Sequence, residues 1–344
     1  MREPASIVVR APNWLGDVVM STPGFRALRA GHPRAHIAVW LRPGLAPLLA
    51  GAPWFDAVHP YSSGGGLAPI RAGRRLRREG HFELGICIPD SISSAVAMRA
   101  AGVGHIVGYR RGGRGVLLHW PLSLPPEAGP HRWIARERFV LGLIEATGAP
   151  EQGTGLELFT TEEEEARASE LVDSHAGPAS GPWVALAPGA SYGRSKCWPP
   201  ESYAAVADAL AGQGARILLL GSGAEAPLLA SVRSAMRAQA VDLAGRTDLG
   251  TLKALLRRCS LLLCNDAGAR HVAVAFGVPA IVFFGPTTLE KTDLNLESVI
   301  AFETQHDCRP CYRRECSIDH RCLRDIAPSS VVQVARELLA RAAS

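Results

Sequence analysis

The chain has 344 residues, with 37 Lys+Arg against 32 Asp+Glu and a formal net charge of +5. That length suits two domains, each large enough for its own core. The 47% hydrophobic and 20% charged fractions are those of a globular protein, which excludes a disordered or fibrous chain. No apolar run is long enough to cross a bilayer, and no apolar leader precedes the first strand. The expectation is a cytoplasmic protein without a transmembrane segment.

In chain order, Ile7 to Arg10 reads as a first strand, followed by the loop Ala-Pro-Asn13-Trp14-Leu-Gly16-Asp17. Thr22-Pro23 opens a helix that runs to about Arg29, with proline near the first helical position, where its missing N–H costs nothing. Ile37–Leu41 and Ala57–Tyr61 read as strands, with a short helix between them at Gly44–Ala50. Leu67 to Glu79 is a helix carrying Arg71, Arg74, Arg75, Arg77 and Arg78, which reads as a solvated face. Leu84–Ile88 is a buried strand with Pro89-Asp90-Ser91 at its tip. After a helix to Ala101, Ile106–Tyr109 closes the sheet and the loop with Arg110, Arg111 and Arg114 follows. Residues 119–130 read as irregular, Arg132 to Thr147 has helical period, and Thr160 opens a helix with four glutamates in its first turn.

The same alternation restarts after a Gly- and Pro-rich break at Gly177–Pro182, which places the linker between about residues 160 and 182. Expected domains are therefore 1–165 and 166–344. Trp183–Ala187 is a strand, Pro199–Ala211 a helix and Ile217–Leu220 a strand. Gly221 to Glu225 leads into another helix, and a strand at Val241–Leu243 and a helix at Leu249–Arg258 follow. Leu261 to Cys264 is a short apolar run with no helical period, suited to a strand buried on both faces. Asn265 and Asp266 sit at its end. Ala269–Phe276 is a short helix, and Ala280–Phe284 a second strand ending in Gly285-Pro-Thr287. Strand, helix and strand so closely spaced make a parallel pair, with both polar tips on one sheet edge. This is a doubly wound α/β pattern in both halves. Two such domains would present a cleft between their strand edges.

Ligands of open parallel sheets bind at that edge. Pro188-Gly-Ala-Ser191-Tyr192-Gly-Arg-Ser195-Lys196-Cys-Trp198 follows a strand there and offers hydroxyls and a positive charge, a composition suited to a diphosphate. It lacks the Walker spacing. The helix start at Gly268 adds N–H groups that favour an anion. No Asp-x-Asp pair is present to carry a divalent metal, so no cofactor is expected, and Lys196 with the Gly268 helix end can neutralise a leaving diphosphate. The arginine clusters suit phosphate groups or an anionic membrane surface. They carry no interleaved aromatics, which argues against nucleic acid. Asp17 reads from the residues alone either as a helix cap or as a carboxylate presented at the edge.

Together, Leu15-Gly16-Asp17-Val-Val-Met-Ser-Thr22-Pro23, Pro-Gly-Ala-Ser-Tyr-Gly-Arg-Ser-Lys-x-Trp-Pro, Asn-Asp-Ala-Gly-x-x-His and Phe-Gly-Pro-Thr resemble glycosyltransferase family 9. These are the ADP-heptose:lipopolysaccharide heptosyltransferases, and the Asn13-Trp14 form is most like their type II members. The resemblance implies a GT-B fold, two Rossmann-like domains facing across a cleft, the first binding acceptor and the second a nucleotide sugar. It implies inverting transfer from an ADP-sugar donor to an anionic glycolipid acceptor at the inner membrane surface. Asp17 matches the family's catalytic base, and Lys196 the lysine on the donor phosphates. Asp266, Gly268 and His271 match its donor motif, and Glu225 the acid near the adenosine. Ser191 and Tyr192 stand for small hydroxyl residues of the phosphate loop, with Ser195 and Thr287 beside them, and Arg110, Arg111 and Arg114 are expected on the acceptor. Ala267 departs from the motif, which has Ser or Thr there.

Four of the eight cysteines, Cys308, Cys311, Cys316 and Cys322, lie near the C-terminus with His306 and His320. Their spacing fits a structural zinc site or a buried thiol cluster. Two other functions share the architecture: a nucleotide-sugar epimerase, and a non-catalytic binder of sugar nucleotides or glycans.

Overall fold

The computed structural model describes residues 3–62, 64–124, 134–173 and 181–343. Half of the stretch 119–130 read as irregular, and much of the Gly- and Pro-rich break at 177–182, lie outside the described residues. The chain divides into two compact units, residues 1–159 with 290–294, and residues 160–289 with 295–344. The division thus falls a few residues before the expected boundary at 165. The helix Glu162–Asp173 goes with the second unit. Its Glu164 is paired at 3.1 Å with the fully buried Lys253, and Glu165 accepts from both Arg257 and Arg258. Its acidic first turn therefore packs against Lys253, Arg257 and Arg258 of the second unit.

The first unit is built on a six-stranded sheet of β1 (Ser6–Arg10), β2 (His36–Leu41), β3 (Ala57–Pro60), β4 (Leu84–Cys87), β5 (His105–Tyr109) and β6 (Trp120–Leu122), in the order β3-β2-β1-β4-β5-β6. The second has β7 (Trp183–Ala187), β8 (Arg216–Leu219), β9 (Ala240–Asp242), β10 (Leu261–Asn265), β11 (Ala280–Phe284) and β12 (Val299–Glu303), in the order β12-β11-β10-β7-β8-β9. Every pairing is parallel. Renumbered within its own unit, the second sheet repeats the order of the first. Both are the doubly wound Rossmann order, in which the chain reverses direction beside its first strand.

Apolar runs make the central strands because they are covered on both faces. Ile7, Val8 and Val9 are 0% exposed, as are Leu261, Leu262 and Leu263. Each such side chain contributes roughly 1.5–3 kcal/mol on burial. In the second unit Trp198 stacks on Phe283 with ring centroids 4.1 Å apart, and Tyr203 meets both edge-on. The helix Ala68–Glu79 turns Leu76 inward and leaves its five arginines exposed, as its charge pattern predicts.

Besides the helices Arg321–Arg324 and Pro328–Ala343, which were not anticipated, three elements differ from the sequence reading. Trp120–Leu122, inside the stretch read as irregular, adds β6 beyond β5. Val299–Glu303, not anticipated, adds β12 beyond β11. Both are short edge strands. Third, the first loop is shorter than expected, because Leu15–Val19 forms a small helix and Asp17 sits in its first turn.

Candidate active site

In each sheet the reversal falls between two central strands, β1 and β4 in the first, β7 and β10 in the second. Loops leaving the carboxyl ends of such a pair diverge to opposite faces and leave a crevice. In the first unit these are the segment after β1, with Asn13, Trp14 and Asp17, and the Pro89-Asp90 tip after β4. In the second they are the loop Pro188–Lys196 after β7 and Asp266-Ala-Gly268 after β10.

Asp17 is half-buried, and its carboxylate faces Arg136, whose Nε lies 3.9 Å from Oδ1. Arg136 opens the helix Arg136–Glu145 and rests on the Phe139 ring at 4.6 Å. Burial pushes the Asp17 carboxyl above the ordinary value, and Arg136 only partly opposes this. A proton acceptor is more useful when its affinity moves toward neutral pH. The helix-cap alternative does not fit the geometry. The N-cap of Leu15–Val19 is Trp14, and that of the following helix Thr22–Gly31 is Ser21. Ser21 Oγ donates to the backbone oxygen of Asp17 at 2.6 Å, not to its carboxylate.

The arginine loop separates into two kinds of residue. Arg110 and Arg111 are exposed, Arg111 pairing with Asp90 at 3.3 Å. Arg114 is 0% exposed and points into the fold. Its guanidinium donates to Tyr109 O at 2.9 Å, to Cys87 O at 3.4 Å, to Pro89 O, and to Asp90 Oδ1 at 3.2 Å. It ties the ends of β4 and β5 together, so in this structure it is not presented to a ligand.

The second edge is centred on Lys196. Its Nζ donates to Asp266 O at 2.9 Å and to Asp266 Oδ2 at 2.6 Å, and Thr287 Oγ1 donates to the same Oδ2 at 2.8 Å. Loops from three strands, β7, β10 and β11, therefore meet at one carboxylate. Asn265, fully buried, clamps the β7 loop at both ends. Its Nδ2 donates to Pro188 O at 2.6 Å, and its Oδ1 accepts from Trp198 N at 3.0 Å and from Tyr203 OH at 3.1 Å.

Two glycines are required by close approach. A Cβ on Gly189 would collide with the Glu225 carboxylate, and one on Gly193 with the Arg314 carbonyl. Glu225 thus lies against the start of the loop after β7, its Oε2 held by Ser222 N at 2.8 Å and Ser222 Oγ at 2.7 Å. Ser191 is exposed and presented outward. Ser195 and Tyr192 are committed elsewhere. Ser195 Oγ donates to Arg313 O at 2.5 Å and Tyr192 OH to Tyr312 O. The Tyr192 ring lies 5.1 Å from Lys196 Nζ.

Gly268 begins the helix Gly268–Ala275, whose N-cap Ala267 supplies no side-chain hydrogen bond. His271 is buried on that helix, and burial, then Arg270 and Lys196, hold its pKa well below the usual histidine value. It is neutral at physiological pH and adds no charge to the cluster.

Among the described residues no group of three or more His, Cys, Asp or Glu side chains is placed to hold a metal ion. Cys322 is buried in the second core, and Cys316 Sγ accepts backbone N–H groups of Ile318 and His320 at 3.4 Å. His306 Nε2 is 3.1 Å from Asp325.

The glycosyltransferase family 9 (heptosyltransferase) profile matches residues 70–321. The chain belongs to glycosyltransferase family 9. It is 30% identical to lipopolysaccharide heptosyltransferase 2 of Escherichia coli K12, over 97% of this chain and 98% of that protein. It superposes on the structure of E. coli ADP-heptose lps heptosyltransferase II with a TM-score of 0.83 at 25% identity, covering 98% of this chain and 100% of that one. A family 9 glycosyltransferase from Veillonella parvula shares the fold with a TM-score of 0.85 at 22% identity, covering 98% and 97%. The two Rossmann-like sheets are those of a GT-B glycosyltransferase, and the chain is a transferase enzyme. Among the described residues no helix is long and apolar enough to cross a membrane.

Two residues beside the candidate site were given no role from sequence. Arg136 lies 119 positions from Asp17 in the chain, and no local pattern joins them. Asn265 had a signal, a polar amide ending an apolar strand, but its role as a clamp needs the Pro188 and Trp198 contacts to be seen.

Proposed function

We propose that this chain transfers a heptose, or a similar sugar, from an ADP-activated donor to an inner-core lipopolysaccharide-type acceptor, with inversion. The observation that carries the reading is the meeting of Lys196, Asp266 and Thr287 at the reversal point of the second sheet. That site offers a cation, a helix N-terminus and no metal-binding carboxylate pair, which suits a departing diphosphate. The relatives' names supply the sugar and the acceptor class.

In this reading Asp17 takes the proton of the acceptor hydroxyl while its oxygen attacks the anomeric carbon. The sugar–phosphate bond breaks on the opposite face, and Lys196 with the Gly268 end of the helix takes up the negative charge on the leaving diphosphate. Ser191, presented outward, offers a hydroxyl to the phosphates, and Ser195 and Tyr192 shape the loop. Glu225, at the β8 edge, faces the nucleoside, and His271 supports the donor helix as a neutral group.

Arg110 and Arg111 serve the acceptor, and Arg114 holds their loop. Three apolar side chains stand out on the same edge: Trp14, Ile92 and Val116 are 57%, 52% and 85% exposed. Apolar tips interspersed with arginines suit the headgroup layer in which a glycolipid acceptor sits. The deciding experiment follows both ADP release and conversion of ADP-heptose itself, with and without a core acceptor. Release that requires acceptor supports the transferase. Turnover of the sugar nucleotide without acceptor would indicate an epimerase, and no turnover with retained binding a non-catalytic protein.

A further inference from the structure

The cysteine-bearing segment near the C-terminus has no part in the transfer as described above, yet it touches both loops that flank Lys196. From residue 309 to 314 it runs between the Gly285–Thr288 loop after β11 and the Ser191–Lys196 loop after β7. On one side, Pro286 O accepts from the backbone N–H of Cys311 at 3.1 Å and of Tyr312 at 3.0 Å. On the other, the carbonyls of Tyr312, Arg313 and Arg314 accept from Tyr192 OH, Ser195 Oγ and Ser195 N. Five bonds thus make the segment a brace between two loops that have no strand pairing to each other.

Arg309 is the side chain at the root of this brace. Its guanidinium is 8% exposed and is spent on the loop after β11. Nε donates to Gly285 O at 2.6 Å, and Nη2 donates to Thr287 O at 3.1 Å and to Glu303 Oε2 at 3.0 Å. Nη1 donates to Thr304 O. With the carbonyls of residues 285 and 287 both held, the Thr287 backbone has one setting. From that setting Thr287 Oγ1 reaches Asp266 Oδ2, the atom that also holds Lys196 Nζ.

We propose that Arg309 is a positioning residue for the donor diphosphate subsite. It acts through Thr287 and Asp266 to set where Lys196 stands, and the brace 309–314 is part of the donor site, not a peripheral appendage. This rests on the assignment of the Lys196 loop to the donor diphosphate. Lysine cannot replace arginine here, because one ammonium cannot span carbonyls that a planar fork bonds together. Misplacing a charged group by a fraction of an ångström to 1 Å is enough to weaken a subsite by about tenfold or more.

The test compares Arg309→Lys, Thr287→Val and Lys196→Ala in the full chain, reading ADP affinity by calorimetry, both KM values and kcat. Arg309→Lys is expected to weaken ADP binding and raise the donor KM by about tenfold, with acceptor KM and kcat nearly unchanged. Thr287→Val is expected to do the same, and it decides the matter if Arg309→Lys does not fold. Combining Arg309→Lys with Lys196→Ala should add little beyond Lys196→Ala, since both act on one interaction. A kcat loss at unchanged donor KM would mean a merely structural arginine and would overturn the proposal. So would full additivity, or wild-type ADP affinity in Arg309→Lys or, should that not fold, in Thr287→Val. If Lys196→Ala itself leaves ADP affinity untouched, the donor-subsite assignment has failed and the proposal falls with it. A weakened Lys196→Ala beside a silent Arg309→Lys sinks the proposal alone.

Discussion

Lys196 Nζ and Asp266 Oδ2 are 2.6 Å apart, with side chains only 12% and 14% exposed. An ion pair this sheltered contributes little net stability, because desolvation offsets most of the attraction. What it does is hold a lysine at a fixed point on the carboxyl edge of the second sheet.

Replacing Lys196 by Ala should raise the donor KM and weaken ADP binding, because a positive charge at the diphosphate is lost. It also leaves the Asp266 carboxylate with Thr287 but no cation, which costs roughly 1–3 kcal/mol of stability. Titration calorimetry with ADP and a thermal melt check the two effects separately. Unchanged donor constants would remove Lys196 from the donor site.

The arginine loop should divide the same way in solution as it does in space. Arg110→Ala with Arg111→Ala is expected to raise the acceptor KM and leave the melting temperature nearly unchanged, since both side chains are exposed. Arg114→Ala should destabilise the protein by about 3–5 kcal/mol, because it strips partners from the buried carbonyls of Cys87, Pro89 and Tyr109. Urea unfolding measures this. A stable Arg114→Ala protein with a raised acceptor KM would reverse the assignment.

This division shows where sequence reasoning ends. The strands were legible because fully buried parallel strands are written as short continuous apolar runs, as in Leu261–Cys264 and Ala280–Phe284. The sheet edge was legible because polar residues follow such runs directly, and this placed Lys196, Asp266 and Thr287 near one another before any coordinates. Whether a side chain at that edge points out or in was not legible. Arg110 and Arg114 look alike in the chain, and only the carbonyls around Arg114 decide its direction. Ser195 is the same case: its hydroxyl is bound to Arg313, over a hundred positions away. The edge strand β6 was missed because it is three residues long with a proline in the middle, and the helix Leu15–Val19 because five residues are too few for a periodic signal; β12 had a signal, the apolar run Val299–Phe302, that was not read.

Turnover should not need a divalent metal. In the proposed reading, Lys196 and the helix that starts at Gly268 take up the charge that builds on the leaving group. Activity retained in excess EDTA, with transfer followed by ADP release, is the expected result. Loss in EDTA that magnesium or manganese restores would require a metal on the diphosphate.

Asp17 gives the most exacting test, because its catalytic and structural roles predict opposite changes. Its carboxyl is pushed above the ordinary value by burial, with Arg136 opposing. In the unfolded chain it would ionise near the usual value of about 3.9, so the folded protein holds this proton to higher pH. Its contribution to stability is then fully present below the unfolded value and is lost as pH rises through the folded value. At neutral pH the ionised carboxylate is therefore a burden on the fold, of the kind tolerated at functional positions. Asp17→Asn should leave the melting temperature at pH 7 unchanged or raise it. A base acts in the transition state, so the same substitution should lower kcat by about 10²–10⁴-fold with little change in ADP binding. In the unmutated enzyme, activity should fall on the acid side with a midpoint above the ordinary aspartate value, as the carboxyl takes up its proton. Melting curves, kcat and a pH–rate profile on the two proteins are sufficient. Near wild-type turnover in Asp17→Asn would end the assignment of Asp17 as the base, and a large fall in melting temperature would return it to a structural role.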